Sequence, residues 1–61
     1  MYTPKAGDLI RDADNDVWFI YADPDTDQLY GITNSYTSAA GYPLDRVQSL
    51  WGPLTLEHRP A

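Results

Sequence analysis

Six consecutive apolar or aromatic residues, Val17-Trp18-Phe19-Ile20-Tyr21-Ala22, are bracketed by aspartates: Asp12, Asp14 and Asp16 before them, Asp23, Asp25 and Asp27 after them. Their β-branched and aromatic content suits a strand. Successive side chains of a strand point to opposite faces, so an unbroken apolar run cannot belong to a strand with one wet face. Two outcomes stay open. Either both faces are covered within the fold, or one face waits for a partner.

The chain has 61 residues, enough for one small domain. Such a chain buries only roughly 60% of its unfolded surface, and disulfides, a metal or self-association usually supply the missing stability. With no cysteine, disulfides are ruled out, and a reducing, cytosolic setting is expected. A single histidine and no thiol argue against a transition-metal site, and no cofactor is expected. That leaves an aromatic-rich core, self-association, or both. Two tryptophans, one phenylalanine and five tyrosines are more than a small core easily encloses. Some rings are therefore expected at the surface, where Trp and Tyr add rigid contact area to an interface.

Nine acidic residues against four basic ones give a net charge of −5. Direct binding to a nucleic-acid backbone is disfavoured, because each phosphate contact needs a lysine or arginine. Anionic membrane surfaces are disfavoured for the same reason. The longest apolar run is far short of the roughly 20 residues that span a bilayer. The opening Met1-Tyr2-Thr3-Pro4-Lys5 has no signal-peptide pattern, so a soluble, cytoplasmic protein is expected.

Residues 1–7 read as an irregular arm ending in a turn, and Asp8–Arg11 as a short strand. Asp12–Asp16 is a polar turn, because Asp and Asn bond their own backbone and tolerate left-handed conformations. Val17–Ala22 is the second strand, and Asp23–Asp27 the next turn, with Pro24 at its corner. Gln28–Thr33 makes a third strand, with Tyr30 and Ile32 on one face, Leu29 and Gly31 on the other. Ser35–Gly41 is a small-residue loop carrying Tyr36. In the next stretch Asp45 can cap a short helix over 45–51, which places Val47, Leu50 and Trp51 on one face before the stop signal Gly52-Pro53. Leu54–His58 alternates as a closing strand before the Arg59-Pro60-Ala61 tail. A three-strand antiparallel meander of this size usually curls into a partly open barrel, which reduces its exposed edges.

The Gly7-Asp8-Leu9-Ile10 run, the polar turn and Val17-Trp18 together resemble the opening of SH3-like barrels. With the ending Gly52-Pro53-Leu54-Thr55-Leu56, they also resemble short proteins of actinobacteria and their bacteriophages. Asn15-Asp16 stands where that pattern has a glycine, which leaves the turn type open. The resemblance implies a single SH3-like domain spanning residues 1–61 and a mobile-element origin. It implies no activity.

The spacing of Asp12, Asp14 and Asp16 matches the first three ligands of a calcium loop, with Asp23 at the place of the last. Val17 replaces the glycine that such a loop needs, and Trp18–Ala22 reads as strand. If residues 16–23 are extended, Asp16 and Asp23 lie roughly 20 Å or more apart at about 3.3 Å per residue. The two clusters therefore mark opposite ends of the second strand, where they keep turns solvated and steer toward a basic partner. Spaced carboxylates can also imitate a row of phosphates. His58 has no nucleophile or carboxylate placed for it, since Glu57 as a strand neighbour points away, and enzyme activity is not expected.

The reading is a non-enzymatic protein-interaction module that binds and modulates a host protein. Its expected contacts are Trp18, Tyr21, Tyr30, Tyr36 and Tyr42, with the turn carboxylates of Asp12, Asp14, Asp16, Asp25 and Asp27 around them. If one face of the second strand is open, either Trp18 and Ile20 or Phe19 and Tyr21 form the interface centre. The alternatives are an acidic mimic that inhibits a nucleic-acid-binding protein, and a self-assembling homo-oligomer.

Overall fold

The computed structural model describes residues 2–33 and 41–60. Five strands and one helix follow each other as β1 (Leu9–Arg11), β2 (Val17–Ala22), β3 (Leu29–Ile32), β4 (Tyr42–Pro43), α1 (Leu44–Trp51) and β5 (Thr55–His58). Every strand pairing is antiparallel, and the sheet order is β4-β3-β2-β1-β5. The fold is thus mostly β, with the expected meander at its centre. A barrel closed by hydrogen bonds does not form: β4 and β5 lie at opposite edges, and no pairing joins them among the described residues.

Side-chain alternation along β2 decides the layering. Trp18 and Ile20 face inward and are 1% and 0% exposed, whereas Val17 and Phe19 face outward. Ile10 and Val47 complete the fully buried cluster, with Tyr2, Leu29, Tyr42, Leu44, Trp51 and Leu54 packed around it. Trp18 lies against Trp51 and Tyr42, with ring centroids 5.1 and 6.0 Å away, and Tyr42 and Trp51 touch each other at 5.5 Å. Tilted pairs at such separations are favourable beyond their buried area. Gly31 makes this packing possible. A β-carbon there would stand 3.1 Å from Trp18 Cε3 and 3.3 Å from Ile20 Cδ1, so a bare backbone is what lets the indole lie flat on β3.

Helix α1 covers this inner face, but not as its capping signal suggests. Pro43 is the N-cap and no side-chain cap bond is seen among the described residues, while Asp45 sits in the first turn, where its charge suits the helix dipole. Val47 and Trp51, one turn apart, face the sheet. Leu50, expected on the same face, is 59% exposed instead: at about 100° per residue it lies roughly 100° around the helix from Trp51, outside the stripe of Leu44, Val47 and Trp51 that packs on the core. The chain leaves α1 through a cis Gly52–Pro53 bond and returns as β5 beside β1.

Both aspartate turns hold left-handed residues that are not glycine. Asn15 has φ 74° and Asp27 φ 65°, and Asn and Asp tolerate this region better than other side chains. Asn15 therefore does the work of the glycine that is missing from the first turn. That turn is held from inside by Asp12, which is buried. Its Oδ1 accepts the N–H groups of Asp14 and Asp16, both at 2.9 Å, and its Oδ2 accepts the Trp18 indole N–H at 2.8 Å. One carboxylate thus closes the turn and fixes the central ring of the core. An amide has only one acceptor oxygen, so Asp12→Asn must set its NH2 against an N–H donor. We expect Asp12→Asn to cost about 1–3 kcal/mol in urea unfolding, against less than about 0.5 kcal/mol for Asp14→Asn on the exposed side of the same turn. Equal unfolding midpoints for the two variants would remove Asp12 from this role.

Candidate functional site

Among the described residues, the outer face of the sheet carries a contiguous group of exposed apolar side chains, Val17, Phe19 and Ile32, apart from the exposed Leu50 of α1 and Leu56 of β5. Strand register sets Leu9 of β1, Phe19 of β2 and Ile32 of β3 in one row across the sheet. Val17 lies one step along β2 on the same face, beside Thr33, whose hydroxyl donates to the Val17 carbonyl at 2.7 Å. Val17, Phe19 and Ile32 are 38%, 41% and 43% exposed. With Leu9 and Thr33 they line a shallow depression of about 260 Å³. Toward the other end of β2, Tyr21 and Tyr30 pair across the strands and stack at 5.8 Å with 21° between ring planes. Beside Val17 the face is closed off by the Arg11–Glu57 ion pair at 3.1 Å. Arg11 also donates to the Asn15 carbonyl at 2.9 Å, which ties the first turn to this face.

The acidic turns lie at the two ends of β2. Asp14, Asp25 and Asp27 are exposed and Asp16 is half-buried. In the second turn Asp23 Oδ1 accepts the Asp25 N–H at 2.8 Å, an Asx-type closure that repeats the Asp12 device at the surface. The calcium reading loses its first ligand here, because the Asp12 oxygens already accept three N–H groups from the fold. Among the described residues no group of three or more His, Cys, Asp or Glu is placed to hold a metal ion.

Several expected contact residues move accordingly. Trp18 is core, and so is Ile20, so the outward face of β2 belongs to Phe19 and Tyr21. Asp12 is a buried structural acid rather than a rim charge. Tyr42 is half-buried on the inner face against Trp18 and Trp51. Tyr21 and Tyr30 lie on the outer face, as a contact role requires. Tyr36 and its loop lie outside the described residues. Phe19, Val17 and Ile32 are the exposed apolar residues of this face, and strict alternation from a buried Trp18 was the signal that could have found Val17 and Phe19.

A second buried acid was not singled out from sequence. Asp8 is fully buried and accepts from Arg59 through both oxygens, at 2.8 and 2.9 Å, from the Tyr2 hydroxyl, and from the Lys5 N–H at 2.8 Å. Arg59 also donates to the Thr3 carbonyl at 3.2 Å and lies over the Tyr2 ring, 5.8 Å from its centroid. Arg59 is therefore no loose tail but the clasp between the chain's two ends. Its guanidinium, more than any other neighbour, holds the Asp8 carboxyl well below the usual carboxylate range, with the Tyr2 and Lys5 donors adding to the effect against the cost of burial. Burial first, and then the bond to Asp8, push the Tyr2 hydroxyl up to about 12.

No helix among the described residues is long and apolar enough to cross a membrane. Compared with known proteins, the chain matches no family model, no curated protein and no solved structure.

A carboxyl whose folded pKa is depressed contributes stability above its unfolded value, and that contribution is lost as pH falls toward the folded value. The Asp8 clasp is therefore complete above about pH 4, the ordinary aspartate pKa, and weakens progressively below it. Urea midpoints should fall steeply from pH 4 to pH 2. Asp8→Asn should be less stable at neutral pH and show a flatter profile over that window. A variant with the parent's slope would place the acid sensitivity elsewhere.

Proposed function

We propose that this chain is a non-enzymatic protein-interaction module that engages a partner through the outer face of its sheet, with Phe19 at the centre. One observation carries the reading: the row Leu9–Phe19–Ile32 stays partly in water, although a 61-residue domain has little apolar surface to spare. A sheet face of this kind is ordinarily covered by another layer. Contiguous exposed apolar residues with a polar border are the usual mark of an interaction surface. Tyr21 and Tyr30 extend the patch, and the carboxylates of Asp14, Asp25 and Asp27 supply its acidic border.

An SH3-like fold is part of this reading. Support comes from the strand order β4-β3-β2-β1-β5 and from a helix between the last two strands. The resemblance to short actinobacterial and bacteriophage proteins suggests a mobile-element origin and action in the host cytoplasm, on a basic or nucleic-acid-binding host protein. The acidic-mimic alternative has less support, because Asp12 faces inward and leaves a sparser row of carboxylates.

The test is affinity capture from an actinobacterial lysate with the parent chain and with Phe19→Glu. Phe19 is far enough into solvent for the variant to keep the parent's melting profile. Captured protein should fall about tenfold or more with the variant, in keeping with loss of a central contact, and survive high salt in the parent. Capture that is undiminished by Phe19→Glu, or that disappears in salt regardless of the variant, would move the interaction to the acidic turns.

A further inference from the structure

We infer that the occupant of the outer face is a single amphipathic helix of a partner protein, about four turns long, with basic residues at both ends of its apolar stripe. This rests on the outer-face reading above and adds the shape and charge of what binds. Helix α1 covers the inner face, and among the described residues no second layer covers the outer one, where a stable α/β sandwich has two.

The size of the strip selects the occupant. It is three strands wide, and neighbouring strands are about 4.8 Å apart, which makes it roughly 10 Å across. The length of β2 from one aspartate turn to the other is roughly 20 Å. That footprint matches one helix of 10–12 Å diameter and about 13 residues. It is much smaller than the roughly 800 Å² per partner of a stable protein interface, so two copies stacked through this face would be underfilled. Such stacking would also bring together two chains of net charge −5.

Charge selects the ends of that helix. A helix laid along β2 would run from Asp14 to Asp25 and Asp27, all three exposed. Lysine or arginine one turn beyond the apolar stripe at either end meets these carboxylates. Along its length the described residues of this face are neutral, apart from Arg11 and Glu57, which neutralise each other at the β1 side. Recognition would follow the helix-in-groove mode, with anchors at i, i+3, i+4 and i+7.

The probe is a synthetic 13-residue helical peptide with a leucine stripe and two lysines at each end, compared with the same peptide carrying glutamates there. Titrated into the full chain at low salt and followed by NMR shifts, the lysine peptide should bind about tenfold tighter or better, an advantage that high salt shrinks. Its shifts should map to Leu9, Val17, Phe19 and Ile32. Phe19→Glu should abolish binding, with Ile32→Ser as the second variant if the first fails to fold. Combined Asp14→Asn, Asp25→Asn and Asp27→Asn changes should erase the preference for lysine. Equal affinity for the two peptides, or shifts that map to α1, would overturn the inference. So would a dimer, seen by sedimentation, that Phe19→Glu disperses. Lysate capture that depends on Phe19 while the chain ignores both peptides would sink the helix and leave the interaction module standing. Capture insensitive to Phe19 would sink both.

Discussion

The rest of the structure hangs on the carboxylate of Asp12. It joins two things that sequence alone keeps apart, a tight polar turn and the central ring of the core. By accepting the N–H groups of Asp14 and Asp16 it sets the geometry that brings β1 and β2 together. By accepting the Trp18 indole N–H it decides which side of β2 is inside. Once Trp18 is inward, alternation sends Ile20 inward and Phe19 outward, and the layering of the domain follows. Tyr42 and Trp51 then close over the indole, with Gly31 giving it room on β3.

The second buried carboxylate plays a different part. Asp8 joins the chain's two ends, bringing Tyr2, Thr3 and Lys5 from one side and Arg59 from the other onto a single group. With four fully buried apolar side chains among the described residues, such polar fastening replaces some of the hydrophobic mass that a larger protein would have. Two of the chain's nine acids are thereby structural. The acidic character that remains at the surface is concentrated at the ends of β2, around the uncovered face.

Much of the architecture was legible before the fold was known. The three central strands, the helix ahead of Gly52 and the last strand all follow from β-branched and aromatic runs punctuated by Asp, Asn, Gly and Pro. The faces of β3 followed from simple alternation. The barrel expectation holds only in its coarser part: a five-stranded antiparallel sheet with one short helix is present, but among the described residues hydrogen bonds do not close it, and closure depends on contacts between distant edges that no local pattern encodes. Leu50 was misplaced because the short helix turns the stripe of Leu44, Val47 and Trp51 to the core, and Leu50 lies about 100° around the helix from Trp51. Among the residues named from sequence, Tyr21 and Tyr30 lie paired on the outer face. Trp18 and Asp12 were assigned to the surface because ring size and charge suggest contact and solvation, and neither property reveals a hydrogen bond between the two.

Val17–Ala22 ended up as a strand with one dry and one wet apolar face. Sequence by itself determined that this stretch is extended, that turns of aspartate limit it, and that one face would need special cover. Those are local properties, set by side-chain shape and backbone preference within a few residues. Which face is covered was decided only in three dimensions. It depended on where a carboxylate six residues away meets the indole, and on a helix from the far side of the chain. A period of two is symmetric between the faces of a strand, and only long-range contacts break that symmetry.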